Sequence, residues 1–250
     1  MKCSICKTVF PDDVGRCPGC GSWVPVKGEG DEQEGKGIYS FSKIGNLPPI
    51  ERYKTNLIDE SVGGGLVFGC TYALAGVPGV GKSTLLIPLL CGIARGLYVS
   101  IEEHPTMLVH RANRLKLSLD KVDVCYKLDN VEVLDSITQY LEKSKEKTLV
   151  VIDSVSSLYG QDWVGAADFI TEIRNIVRQH RHSIALCVIH ANKNEDMAGL
   201  QQAQHDTDCN LLFTVKGDIR TLEATKNRIG PAFVKTIFRM TKCGLEKLNN

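Results

Sequence analysis

One stretch of the chain has residue types and spacing suited to phosphate chemistry: Gly76-Val77-Pro78-Gly79-Val80-Gly81-Lys82-Ser83, followed by Thr84. Glycines at its first, fourth and sixth places let backbone N–H groups close around phosphate oxygens. A helix starting there adds the positive end of its dipole. Lys82 has the reach for β- and γ-phosphates, and the Ser83 hydroxyl suits a Mg²⁺ ion. The apolar run Thr71-Tyr72-Ala73-Leu74-Ala75 before it reads as a buried strand, and Thr84-Leu85-Leu86-Ile87 after it as the start of a helix. A glycine-rich turn with an accidental Lys-Ser would need neither flank. The segment is read as binding a nucleoside triphosphate, and Pro88 predicts a kink in the helix that follows.

Two carboxylate positions complete that chemistry. Thr148-Leu149-Val150-Val151-Ile152-Asp153-Ser154 is an apolar strand ending in Asp153, placed to hold a Mg²⁺ ion opposite Ser83; alone, an Asp-Ser pair is also good helix-capping chemistry. Gly96-Leu97-Tyr98-Val99-Ser100-Ile101-Glu102-Glu103-His104-Pro105 is a second apolar strand ending in two glutamates. Glu102 is assigned as the base that polarises water, and Glu103 as a cap of the helix beginning at Pro105 or a supporting group. Ser183 to His190 is a further buried strand. His190 is placed to sense the γ-phosphate and pass its state to the polar loop 191–199; a hydrogen-bonded strand-end histidine is the plainer reading.

Four of the ten cysteines make a separate constellation. Cys3-x2-Cys6 and Cys17-x2-Cys20 each put two thiolates on a tight turn, and together they match a closed tetrahedral Zn²⁺ site with no open position for catalysis. A segment this short cannot bury a core, so metal binding would supply its folding energy, on the order of 10 kcal/mol. A redox pair is the alternative, but no helical pattern follows either knuckle to lower a thiol pKa. The remaining six cysteines, Cys70, Cys91, Cys125, Cys187, Cys209 and Cys243, read as buried thiols.

The elements that must position these groups follow. The sequence has 250 residues, 43% of them apolar, and a net charge of +1. This suits one α/β domain plus a small module, and makes any nucleic-acid site a local patch. Residues 1–26 are assigned to the zinc ribbon, 27–46 to a glycine-rich charged tether, and 47–250 to the nucleotide-binding domain. Ile38-Tyr39-Ser40-Phe41 is read as the tether's first ordered contact. The opening residues do not read as a secretory signal, and the longest apolar stretch, Leu85–Ala94, is too short to span a bilayer, so a soluble, cytoplasmic protein with no membrane partner is expected. Thr55–Val62 has helical spacing. Gly63-Gly64-Gly65 predicts a tight hairpin beside the nucleotide, and 130–147 an amphipathic crossover helix. Residues 211–215 and 220–224 bracket Lys216-Gly217-Asp218 as an antiparallel hairpin, and 234–240 is a last strand. Parallel βαβ units thus finish in antiparallel strands.

The cysteine ribbon, Gly63-Gly64-Gly65-Leu66-Val67, the phosphate loop, Leu97–Glu103, Val151-Ile152-Asp153-Ser154, His190-Ala191-Asn192-Lys193 and Lys226-Asn227-Arg228-Ile229-Gly230 come in an order that resembles the bacterial RadA (Sms) family. That family is similar to RecA in its core and to the DnaB helicases in behaviour. The resemblance implies a RecA-like core, ATP, a hexameric ring on single-stranded DNA, and branch migration or helicase activity in recombination, repair or replication, with a recombinase or replication protein as partner. It assigns Glu102 as the catalytic glutamate, and Lys193 and Asn194 to a DNA-binding loop. Lys226 and Arg228 fall on an element that reaches the neighbouring subunit's nucleotide and DNA; by local sequence alone they would be a solvated hairpin edge. A first DNA loop is expected near Gly160–Ala167, with Trp163 as its one aromatic residue. Ile229 stands where the family has phenylalanine, and the sequence ends about where the family's Lon-protease-like domain begins, as would suit a phage RadA-like protein. A RecA-like recombinase or annealing helper is the near alternative. A switch ATPase that binds protein partners and no DNA is the distant one.

Overall fold

The computed structural model describes residues 49–160, 162–190 and 206–248, all within the second of the two units into which the chain divides, Pro49–Asn250. In chain order the strands are β1 (Arg52–Tyr53), β2 (Leu66–Val67), β3 (Thr71–Gly76), β4 (Arg95–Ser100), β5 (Val122–Tyr126), β6 (Thr148–Asp153), β7 (Ser183–His190), β8 (Cys209–Lys216), β9 (Ile219–Asn227), β10 (Lys235–Thr241) and β11 (Gly244–Leu248). The helices are α1 (Lys82–Gly92), α2 (Pro105–Arg114), α3 (Asn130–Lys143), α4 (Val155–Tyr159) and α5 (Trp163–Gln179).

The sheet follows the order β11-β10-β9-β8-β3-β7-β6-β4-β5. Pairings from β5 through β8 are parallel, and those from β8 to β11 antiparallel, as the sequence predicts. β3 is buried at every position because it lies between β7 and β8 and is covered on both faces, the usual state of a parallel strand. Its alternation divides the core. Tyr72 and Leu74 pack with Leu85, Leu86, Leu89 and Leu90 of α1, whereas Ala73 and Ala75 face the helical stripes Val133, Ile137, Leu141 of α3 and Phe169, Ile170, Ile173, Val177 of α5. The small alanines leave room for Phe169 there. α3 starts at a capping box in which Asp129 and Glu132 satisfy each other's backbone donors. α1 runs through Pro88 as far as Gly92.

One irregularity interrupts the antiparallel part. Leu211 pairs with Ala224 but Asn210 pairs with Lys226, so Thr225 of β9 is an extra, bulged residue.

Several expectations are corrected. Thr55–Val62 is a turn, not a helix: Asp59 accepts from the Thr55 and Asn56 N–H groups and from the Thr55 hydroxyl, and the run is stopped by Gly63, Gly64 and Gly65, all at positive φ. These glycines do not flank the phosphate loop. Gly63 lies against Gly230 and Pro231, where an added Cβ would come within 2.8 Å of the proline ring. Neither Glu102 nor Glu103 caps α2; His104 does, its ring accepting from the Thr106 N–H. Most of 160–167 is not loop, since α5 begins at Trp163 with Ala166 and Ala167 already buried. Cys243 is exposed rather than buried. The short β5 and β11 carry no clear apolar alternation and were not legible. The cysteines at 3, 6, 17 and 20, the tether, Ile38–Phe41, and Lys193 and Asn194 lie outside the described residues.

Candidate active site

Register brings the site together. Gly76 pairs with His190 across β3 and β7, and Ser100 pairs with Asp153 across β4 and β6, so the carboxyl ends of these strands finish level with one another. That edge is where open α/β sheets hold ligands. A cavity of about 370 Å³ opens there, lined among others by Gly79, Gly81, Lys82, Ser83, Glu102 and Asp153. Thr84, Tyr98, Glu103, Arg111 and His190 also line it.

The phosphate loop has the conformation its glycines predict. Gly81 sits at φ 111° as the N-cap of α1 with no side-chain capping bond, leaving the first helical N–H groups directed at the cavity. A side chain at Gly81 would be strained by that φ, and its Cβ would meet Met240 at 2.7 Å. Lys82 is buried and donates to the carbonyls of Gly76 (2.8 Å) and Val77 (3.2 Å). Burial pulls its pKa down, opposed by the charges of Asp153 and Glu102. Arg220 of β9 donates to the Val80 carbonyl at 2.9 Å and so braces the loop from the antiparallel side.

Asp153 Oδ2 accepts from two hydroxyls, Ser83 at 2.7 Å and Tyr98 at 2.5 Å. The Ser83 hydroxyl and the Asp153 carboxylate thus converge as hard oxygen donors of the kind Mg²⁺ prefers, so the residues present fit that ion. Burial first, and then Asp153, push the Tyr98 phenol far above its ordinary pKa, so it stays a donor. Glu102 is held by the residues that follow Asp153. Its Oε1 accepts from Ser154 at 3.0 Å and from Ser157, and lies 3.7 Å from Nε2 of His190. His190 is itself fixed through its N–H, which donates to the Ser156 hydroxyl at 2.9 Å.

Glu103 turns away from Glu102 into a two-pronged pair with Arg111 of α2. The Arg111 hydrogen bonds hold the Glu103 carboxyl below its usual value. The folded state therefore binds that proton more weakly than the unfolded chain, and the pair adds stability above the ordinary carboxylate range that is lost as pH falls through the folded pKa. The melting temperature of the wild type should exceed that of Glu103→Gln at about pH 7, with the gap closing toward about pH 3. A gap independent of pH would mean the pair contributes by packing alone.

Sequence reading placed Lys82, Ser83, Thr84, Glu102, Asp153 and His190, and all six line the cavity. It missed Tyr98, Arg111, Ser157 and Arg220, whose roles depend on which strand or helix lies beside which. Tyr98 alone left a signal, a phenol two residues from the end of an apolar strand. Lys226 and Arg228 are elsewhere. β9 runs antiparallel to β8, so they lie by Asp208 and Cys209 at the opposite end of the sheet, where Lys226 Nζ donates to the Thr207 carbonyl at 3.0 Å.

This geometry can be set beside known proteins. A model described as a family of unknown function, DUF7125, matches residues 55–240. The chain belongs to this family. Proteins named DNA repair protein RadA are also similar: that of Campylobacter jejuni is 32% identical across 98% of this chain and 59% of its own length. The protein of Aquifex aeolicus is 31% identical, with 94% and 56% covered, and that of Pseudomonas aeruginosa 29%, with 99% and 59%. The resemblance to RadA carried by the motifs is thus borne out, with this DUF7125 member spanning under three-fifths of those relatives. A KaiC-like protein from Pyrococcus horikoshii superposes with a TM-score of 0.68 at 18% identity, covering 80% of this chain and all of its own, which establishes the RecA/KaiC-like fold. Among the described residues, no helix is long and apolar enough to cross a membrane.

Proposed function

We propose that the protein is an ATP hydrolase of the RadA type that acts on single-stranded DNA in recombination and repair. The observation that carries this reading is the convergence of Lys82, Ser83, Asp153 and Glu102 on one cavity, in a chain that aligns with RadA proteins over nearly its whole length. Backbone N–H groups of Gly79, Gly81 and the first turn of α1 bind the phosphates, and Lys82 leaves the Gly76 and Val77 carbonyls to meet the β- and γ-oxygens. Ser83 and Asp153 would hold Mg²⁺, which would supply positive charge beside the phosphates. Glu102, pinned by Ser154 and Ser157, orients a water and takes its proton; His190 beside it is placed to register the γ-phosphate.

Lys226 and Arg228 face away from this cavity, as suits cations that serve the site of a second copy in a homo-oligomeric ring. In the same reading, the loop holding Lys193 and Asn194 contacts DNA, Cys3, Cys6, Cys17 and Cys20 bind Zn²⁺ in a ribbon over residues 1–26 ahead of a tether over 27–46, and the protein works in the cytoplasm. ATP hydrolysis by zinc-loaded protein at low salt, with and without single-stranded DNA, tests the proposal. Clear stimulation by DNA is expected. Intact basal turnover without stimulation would instead favour a switch ATPase with protein partners, the reading that the near-neutral charge supports.

A further inference from the structure

The other end of the sheet carries a second cavity, of about 340 Å³, lined by Phe68, Gly69, Arg178 and Arg181. Phe68 and Gly69 lead into β3, Arg178 belongs to the last turn of α5, and Arg181 lies in the turn before β7. The distance from the phosphate loop is the length of β3, about 20 Å for six residues. Nothing in the proposed ATPase cycle uses these residues.

Their chemistry points to one class of ligand. Arg178 is half exposed and shares a single buried carboxylate with Arg174: Asp208 Oδ1 is 3.5 Å from one and 3.6 Å from the other. The other oxygen of Asp208 is occupied by the Thr71 N–H at 3.0 Å. One carboxylate thus faces two guanidinium groups. Lys147 adds an ammonium 5.4 Å from the centre of the Phe68 ring, bridged to Glu51. The same pole holds His180, His182 and Lys145, and the His182 imidazole is pushed toward its neutral form, by burial first and then by these two neighbours. The chain's net charge is near zero, so this grouping of basic side chains is a local feature and not a general property. Gly69 sits at φ 79°, a conformation that favours glycine in the turn leading into β3.

We infer that this cavity is a second binding site for single-stranded nucleic acid, outside the loops at the carboxyl end of the sheet. Arg178 and Arg181 take consecutive backbone phosphates, and a base lies against Phe68. Cations tracking a backbone beside an aromatic ring are the recurring design for strands bound without sequence preference. Guanidinium groups suit phosphate because they offer paired donors to its oxygens.

The inference rests on the DNA-binding reading above, and titration of the full-length protein with a fluorescently labelled oligothymidylate across a salt series separates the two. Arg178→Ala with Arg181→Ala is the test variant; Arg174 stays within 3.6 Å of Asp208, so the buried carboxylate keeps a cation. The dependence of log affinity on log salt should weaken by about 0.7 for each arginine removed, about 1.4 for both. Phe68→Leu should lower affinity by about fivefold or more with an unchanged salt slope, because stacking releases no counterions. Wild-type affinity and slope in the double variant would overturn the site while leaving the DNA reading intact. Absence of binding by the wild type would overturn both. A change in sedimentation with no change in DNA affinity would make this face a contact between copies and overturn the inference.

Discussion

Asp153→Asn is expected to lower ATP turnover by about 10³-fold, corresponding to the several kcal/mol of charge stabilisation that a correctly held metal supplies. The side chain is the meeting point of Ser83 and Tyr98, both donating to one oxygen. Asparagine has nearly the same shape and still offers one acceptor, so the fold should persist, but it lacks the charge that holds a divalent ion. The check is a pair of measurements. Mg²⁺ added to ATP should raise the melting temperature of the wild type and leave that of the variant unmoved, and steady-state turnover should fall in parallel. Turnover within tenfold of wild type would remove Asp153 from the metal site.

Glu102→Gln should separate binding from chemistry. Removing a general base costs about 10²- to 10⁴-fold in rate. Glutamine keeps an acceptor oxygen for Ser154 and Ser157, which hold Oε1 in the native protein, so the wall of the cavity should stay in place. Nucleotide affinity, read by equilibrium titration, should remain within a few-fold of wild type while single-turnover hydrolysis nearly stops. Undiminished hydrolysis would reduce Glu102 to an acceptor for two serines. Glu103 is poorly placed to substitute, because both its oxygens are occupied by Arg111.

Much of this site is legible in the amino-acid sequence. The phosphate loop and Asp153 announce themselves because their function needs particular residues at fixed sequence spacing on either side of a buried strand. What escaped depends on distance in space. Tyr98 and Asp153 are brought together by the pairing of β4 with β6, and no local pattern states that these strands are neighbours. Arg220 reaches Val80 across 140 residues of chain. The misread helix at Thr55–Val62 is instructive in another way. Its apolar spacing was correct for burial, as Ile58 and Val62 are fully buried, but Asp59 organises the backbone around its own carboxylate and three glycines follow, so the periodicity came from packing without a helix. Glu103 was expected to cap α2, but His104, a less common cap, stands nearer to Pro105.

The bulge in β9 has a meaning for parity. Leu222 and Ala224 are buried members of the core, and unbroken alternation would assign the next even position, Lys226, to that same apolar face. An ammonium there would be costly to bury. By inserting Thr225 opposite no partner of its own, β9 advances its count by one and exchanges the roles of odd and even positions beyond it. The strand therefore obeys two sets of rules along its length, a structural one up to Ala224 and another for the Lys-Asn-Arg run that follows. A single extra residue lets one continuous strand both close the core and end in a cationic tip.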